Sequence, residues 1–246
     1  YMANITGLGT AVENPGILQK ITLILYKIAF KKINCVFFQN EENKEFLKHL
    51  RNNNIITYTE SINNYYSLLL NFEPDYLISV YYRFIIKQEI LQIVNYKAMN
   101  LHPSLLPLYR GVKSSVWALI NREDETGITF HYINEKIDDG RIILQKKIII
   151  KKNDTAYSLY HKLVSLFVAN FEEAFNKLKT GFEGFEQIGS VSYYRRELPF
   201  GGVRHFREVM YYDAVQFVKA MYFPPFKGAV FITDEGVEVE ILSVDE

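Results

Sequence analysis

The feature that most constrains the fold is an alternation, in the middle of the chain, of short apolar runs with segments of helical spacing. Residues 75–82 (DYLISVYY) form a buried-strand pattern behind Glu73-Pro74. Residues 83–94 carry Ile86, Ile90 and Ile93 at the spacing of one helix face. Residues 98–102 (AMNLH) are a second strand, stopped by Pro103, and 103–111, with two prolines and a glycine, must be loop. A helix over 114–121 follows, then strands over 126–134 and 141–150 around a tight Asp138-Asp139-Gly140 turn. Asn153 or Asp154 caps a long amphipathic helix that runs to Lys179 and stops at Gly181. Strands alternating with helices in this way indicate an α/β fold with an open sheet, mostly parallel.

Beyond Gly181 the texture changes to a polar, glycine-bearing stretch, a loop over 195–202, and a short helix over 212–221. Strands over 228–233 and 237–244 flank Asp234-Glu235-Gly236, a hairpin signal. The expected division is therefore an atypical N-terminal α/β segment over 1–54, a core over 55–180, and a small helix-and-hairpin appendage over 181–246. Basic and acidic side chains balance at 28 each, which excludes a broadly basic nucleic-acid binder and an acidic disordered tail. The single cysteine, Cys35, excludes a disulfide framework and a cysteine-based zinc site and fits a reducing cytosol. No metal-ligand spacing such as His-x-x-x-His is present, so no metal is expected. The longest apolar stretch, 21–30, is broken by Lys27 and too short to span a bilayer, so a cytoplasmic protein is expected, with no membrane partner.

Asn100 and His102 lie two apart on a strand and so share one face, at the end where Pro103 breaks the strand. In open α/β sheets ligands bind beyond the carboxyl ends of the strands. An amide and an imidazole aimed together into that crevice can polarise a carbonyl and move a proton. A satisfied histidine at an ordinary strand end is the plainer reading. Asp138, on its turn, can orient a histidine or hold a water, although turn chemistry alone also explains it. His131, on the preceding strand, is a candidate supporting neighbour, whereas His49, His161 and His205 have no matching context.

Taken together, Asn100-x-His102-Pro103-Ser104-Leu105-Leu106-Pro107-x-Tyr109-Arg110-Gly111 and Asp138-x-Gly140 resemble the signature of the formyltransferases that use 10-formyltetrahydrofolate. Tyr81-Tyr82-Arg83-Phe84-Ile85-Ile86 and the run from Met221 to Ala229 are similar to those of the sugar-nucleotide N-formyltransferases within that family. The resemblance, judged to cover about 55–246, implies the family's Rossmann-like fold and the catalytic set Asn100, His102 and Asp138. It implies 10-formyltetrahydrofolate as co-substrate, near Phe84, Ile85, Ile86 and Ile137. It also implies a nucleotide-linked amino sugar, a dTDP-4-amino-4,6-dideoxyhexose destined for surface polysaccharide, near Tyr82, Arg83, Arg110, Tyr222 and Phe223. Arg83 and Arg110 would meet the diphosphate or the sugar, and Tyr222 or Phe223 would stack on the pyrimidine while Phe226 packs inward. The apolar C-terminal strands suggest a homodimer. Formylation of another amine, such as methionyl-tRNA, and a non-catalytic folate or nucleotide module are the competing readings; a basic C-terminal domain for tRNA is missing from the pattern.

The first 54 residues depart from this pattern. Asn4 to Thr10, Lys20 to Lys27 and Val36 to Asn40 resemble the middle of a two-lobed glycosyltransferase. The Gly7-x-Gly9 pair is too short for a phosphate loop. Residues 21–26 and 35–38 can still serve as strands and 42–52 as a helix, so an α/β start with a shortened or replaced first helix is expected.

Overall fold

The computed structural model describes residues 2–5, 35–38, 56–58, 60–82 and 84–243. The expectations for 21–26 and 42–52, the Gly7-x-Gly9 pair, His49 and Arg83 lie outside the described residues. The chain divides into two compact units.

The first unit takes in Tyr1–His102, Thr129–Gln145 and Ser165–Ile188. It is organised on a sheet of β1 (Met2–Ile5), β2 (Cys35–Phe38), β3 (Ile56–Tyr58), β4 (Leu77–Val80), β5 (Ala98–His102), β7 (Glu125–Tyr132) and β8 (Ile142–Ile149). The strand order is β3-β2-β1-β4-β5-β7-β8. The first five strands pair in parallel and β7 runs antiparallel to β5. From β1 the chain moves outward to β2 and β3, then returns to the other side as β4 and β5. That reversal makes a switch point between β1 and β4, and β5 is the next strand beyond β4. The N-terminal segment thus supplies strands to the same sheet.

The core on this sheet holds Leu69 of α1 (Tyr66–Phe72), Leu77 of β4, Ile90 and Leu91 of α2 (Gln88–Ile93), and Ile86 and Val94 beside that helix. Phe130 of β7 meets Phe167 edge-on at 5.3 Å, which seats the C-terminal half of α4 (Ala156–Lys179) on the sheet. Helix α2 is shorter than the spacing of Ile86, Ile90 and Ile93 predicts. The Asn63 side chain bonds both the Ile85 carbonyl (2.8 Å) and the Lys87 N–H (3.0 Å), which holds the chain extended up to Lys87. Ile86 is buried all the same, so the apolar spacing outlives the helix. Likewise β4 ends at Val80 because Tyr81 turns left-handed, at φ 52°.

The second unit takes in Pro103–Ile128, Lys146–Val164 and Gly189–Glu246. It contains α3 (Ser114–Ile120), α5 (Tyr211–Met221), the two-residue pair of β6 (Arg110–Gly111) with β9 (Tyr193–Tyr194), and the sheet β10 (Val203–His205), β11 (Ala229–Ile232), β12 (Glu238–Ile241). The antiparallel β11–β12 hairpin matches the sequence pattern; the parallel strand β10 beside it, and β6 within the expected loop, do not appear in that pattern. The cap of α4 is one residue later than expected. Thr155 Oγ1 accepts from the Ser158 N–H (3.1 Å) while Ser158 Oγ accepts from the Thr155 N–H (3.0 Å). Asp154 sits just outside, accepting from the Lys151 N–H, the Ser158 hydroxyl and the Lys162 ammonium. Burial raises its carboxyl and these three donors outweigh that, so the net shift is downward. The helix ends as predicted at Gly181, where Phe182 N–H reaches the Lys177 carbonyl and Gly181 N–H the Leu178 carbonyl.

Candidate active site

Four side chains of the first unit converge at the carboxyl end of β5. The antiparallel register sets Asn100 opposite His131 and His102 opposite Thr129, so Asn100, His102 and His131 share a face of the sheet. The turn between β7 and β8 then swings Asp138 over them. Asp138 Oδ2 stands 3.4 Å from His102 Nδ1, and Asp138 Oδ1 stands 3.3 Å from Asn100 Nδ2 and 3.5 Å from His131 Nε2. Asn100 Nδ2 is also 3.1 Å from His131 Nε2. His102 and His131 are each 3% exposed and the Asp138 side chain 11%. Of the two adjacent carboxylates it is Asp138 that turns inward, while Asp139 pairs with Lys136 at 3.8 Å.

The hydrogen-bond partners fix the orientation of these groups. His131 Nδ1 lies 2.8 Å from the Tyr132 carbonyl, which can only accept, so Nδ1 carries the proton. Its Nε2 lies 3.1 Å from Asn100 Nδ2, a nitrogen that can only donate. The Asn100 amide therefore points its N–H groups at His131 and Asp138. Nδ1 of His102 is turned to the Asp138 carboxylate, which orients the ring. This constellation has a proton donor, a carboxylate and an amide in one nearly water-excluded place. It can stabilise negative charge on a carbonyl oxygen and relay a proton.

The other expected site residues fall as follows. In the first unit, the Tyr82 hydroxyl accepts from the Ile62 N–H (2.9 Å) and touches Ser61 Oγ (3.2 Å), and its ring meets Phe84 edge-on. Phe84, Ile85 and Ile137 are exposed apolar side chains. Ile86 is 4% exposed, so only its backbone can face a ligand. In the second unit, the Arg110 backbone N–H bonds the Ser192 carbonyl (2.9 Å) within β6. Phe223 lies edge-on to Tyr157 (5.6 Å) and Tyr160 (5.3 Å), and Tyr222 to Tyr157 (6.5 Å). Phe226, expected to pack inward, is instead 65% exposed. The Pro224-Pro225 pair ahead of it keeps the chain out of regular structure, and it is the half-buried Phe223 that packs on Tyr157 and Tyr160.

Much of the signature has a structural part. Ser104 Oγ donates to the Leu108 carbonyl (2.7 Å), closing the loop it begins. The Tyr109 hydroxyl donates to Glu123 (2.5 Å), and its ring stacks on Tyr194. Burial, then the Glu123 bond, raise that phenol far above the ordinary tyrosine range. Gly111 has φ +93°, and a Cβ there would lie 2.1 Å from the Tyr194 carbonyl oxygen, so only glycine fits. Two neighbours of the cluster go beyond the signature. His131 is legible once β7 is paired antiparallel to β5. Gln187 has no sequence signal at all; its Nε2 donates to the Asp138 and Gly140 carbonyls, both at 2.8 Å. Among the described residues no group of three His, Cys, Asp or Glu side chains is placed to hold a metal ion, and no helix is long and apolar enough to cross a membrane.

Comparison with known proteins finds similarity to formyltransferases. The family model described as formyl transferase matches residues 30–173, beginning ahead of residue 55, the start expected from the sequence motifs. The chain is 41% identical over 220 residues to the GDP-perosamine N-formyltransferase of Brucella melitensis, across 87% of this chain and 83% of that protein. A 4-N formyltransferase from Francisella tularensis matches with TM-score 0.79 at 20% identity, covering 100% of this chain and 98% of that one. The N-formyltransferase from Helicobacter canadensis, solved with folinic acid and dTDP-3-aminofucose, matches with TM-score 0.65 at 22% identity, covering 92% and 82%.

Proposed function

This chain belongs to the formyl transferase family, and from that premise we propose that it moves a formyl group from 10-formyltetrahydrofolate to the amino group of a nucleotide-linked amino sugar. The observation that carries the reading is the convergence of Asn100, His102 and Asp138 at the carboxyl end of β5. The amine lone pair attacks the formyl carbon, and the carbonyl electrons move to oxygen. In this reading the His102 imidazole holds that oxyanion; one well-aimed donor of this kind is worth about 3 kcal/mol. Asn100 supplies a second donor when its long 3.3 Å bond to Asp138 gives way to the stronger acceptor. Collapse of the adduct breaks the bond to the folate nitrogen, which needs a proton just as the new amide must lose one. Asp138, directly or through a water, takes the proton from the amine side, and the pair with His102 returns one to the leaving nitrogen. The exposed apolar side chains Phe84, Ile85 and Ile137 suit the flat ring of a pterin.

For the sugar, the relative at 41% identity favours a GDP-linked 4-amino-4,6-dideoxyhexose of the perosamine type. The dTDP-linked sugar implied by the sequence resemblance is the second reading, favoured by the Helicobacter canadensis complex. The experiment is incubation with 10-formyltetrahydrofolate and GDP-perosamine, dTDP-4-amino-4,6-dideoxyglucose, dTDP-3-aminofucose and methionyl-tRNA in parallel. A sugar product heavier by one carbonyl unit supports the reading, with GDP-perosamine the fastest. Formylation of the tRNA alone, or of nothing, overturns it.

A further inference from the structure

Gln187 lies 49 residues from Asp138 in sequence and touches the turn that carries it. Its single amide nitrogen has two hydrogens, and two carbonyls accept them: Asp138 O and Gly140 O, each at 2.8 Å. Between them the backbone is constrained. Asp138 has φ 50°, a left-handed conformation disfavoured for a residue with a Cβ. Gly140 passes so close to β7 that a Cβ there would stand 1.8 Å from the Tyr132 carbonyl oxygen. The left-handed turn at Asp138 is what directs its side chain back onto His102 and Asn100. Two carbonyls turned the same way repel one another unless a donor stands between them, and Gln187 is that donor.

The strap that brings Gln187 there is held independently of it. Arg141 donates from Nε to the Glu183 carbonyl and from a terminal nitrogen to the Gly184 carbonyl, both at 2.8 Å, and pairs with Glu186. Ile142 and Phe185 exchange backbone bonds of 2.7 and 2.9 Å, and the Tyr132 hydroxyl donates to the Phe182 carbonyl. Removing the Gln187 amide therefore leaves the strap seated and loosens only the turn.

We propose that Gln187 is a positioning residue for Asp138, its amide holding the 138–140 turn so that the carboxylate faces His102 and Asn100. The proposal rests on the formyl-transfer reading for its kinetic consequence, though not for its structural one. Gln187→Met keeps the length of the side chain and removes the donors; Gln187→Glu sets oxygens against carbonyls. Both are expected to lower kcat about tenfold or more, with the KM of each substrate within about twofold of the parent chain. A group that acts through Asp138 has nothing left to lose once Asp138 is gone, so Gln187→Met added to Asp138→Asn should cost no further kcat. Multiplying losses in the double variant would overturn the proposal. A second measurement needs no turnover: the ring ¹⁵N signals of His102 in the substrate-free protein. In Gln187→Met they should move toward their position in Asp138→Asn, while those of His205 stay in place. Unmoved His102 signals overturn the positioning role even if no formyl acceptor is ever found, and moved signals in a protein without formyl transfer leave it standing while the functional reading falls.

Discussion

Replacing His102 by asparagine removes the ring assigned to the oxyanion in the proposed reaction and leaves a shorter amide in its place. The imidazole is 3% exposed and its Nδ1 stands 3.4 Å from Asp138, so it is oriented by a carboxylate inside a largely closed site. Loss of one oxyanion donor costs about 3 kcal/mol of transition-state stabilisation, roughly 10²-fold in rate. Loss of a proton carrier costs about 10²–10⁴-fold. Both belong to one ring, so the two do not add, and the expected fall in kcat for His102→Asn is about 10²–10³-fold. The asparagine amide can still reach Asp138, which limits the damage to folding. In the proposed reaction His102 acts on the reacting atoms rather than on the rest of either substrate, so each KM should stay within about threefold. Initial rates measured by chromatography of the formylated sugar, with each substrate varied in turn, give both numbers. A variant within tenfold of the parent kcat would remove His102 from the mechanism. A rise in both KM values at unchanged kcat would make it a binding residue instead.

Tyr222→Ala and Phe223→Ala should each raise the KM for the sugar nucleotide severalfold and spare that of the folate, since stacking on a base is worth about 1–3 kcal/mol. Equal losses for both substrates, or a lower melting temperature alone, would make these rings a plug on Tyr157 and Tyr160. His161 offers a test by pH. Burial holds its imidazole below the ordinary histidine value, so the unfolded chain takes up the proton first as pH falls through about 6.5. Its contribution is therefore complete above that pH and lost below it, by at most about 1.4 kcal/mol per pH unit. Urea unfolding between pH 7.5 and 5.5 should show a stability loss that shrinks in His161→Phe; an unchanged slope would contradict the assignment.

What the sequence made legible follows from how local its signals are. Pro103 ends β5 after His102, Gly181 ends α4, and Asp-Glu-Gly joins β11 to β12, each a signal carried by one or two residues. The Asn100 and His102 pair needed only the two-residue period of a strand. The placement of His131 needed one more fact, the antiparallel register of β7, which no local pattern supplies. The start of α2 was hidden because Asn63, 24 residues away from Lys87, takes the backbone groups that a first turn would have used. Strand β10 pairs with a segment well beyond it and has only three residues to show. Gln187 and the left-handed turn at Asp138 are the extreme case. Their interaction is made by backbone carbonyls, which have no residue type to read.

Formyl transfer as proposed depends most directly on the carboxylate of Asp138 acting in the chemical step. The deciding measurement is the single-turnover rate of formyl transfer by Asp138→Asn at saturating concentrations of both substrates, beside the dissociation constant of each. The substitution keeps the size of the side chain and removes its charge. A rate at least about 10²-fold below the parent, with both dissociation constants unchanged, is the predicted result. A rate within a few-fold of the parent would contradict it.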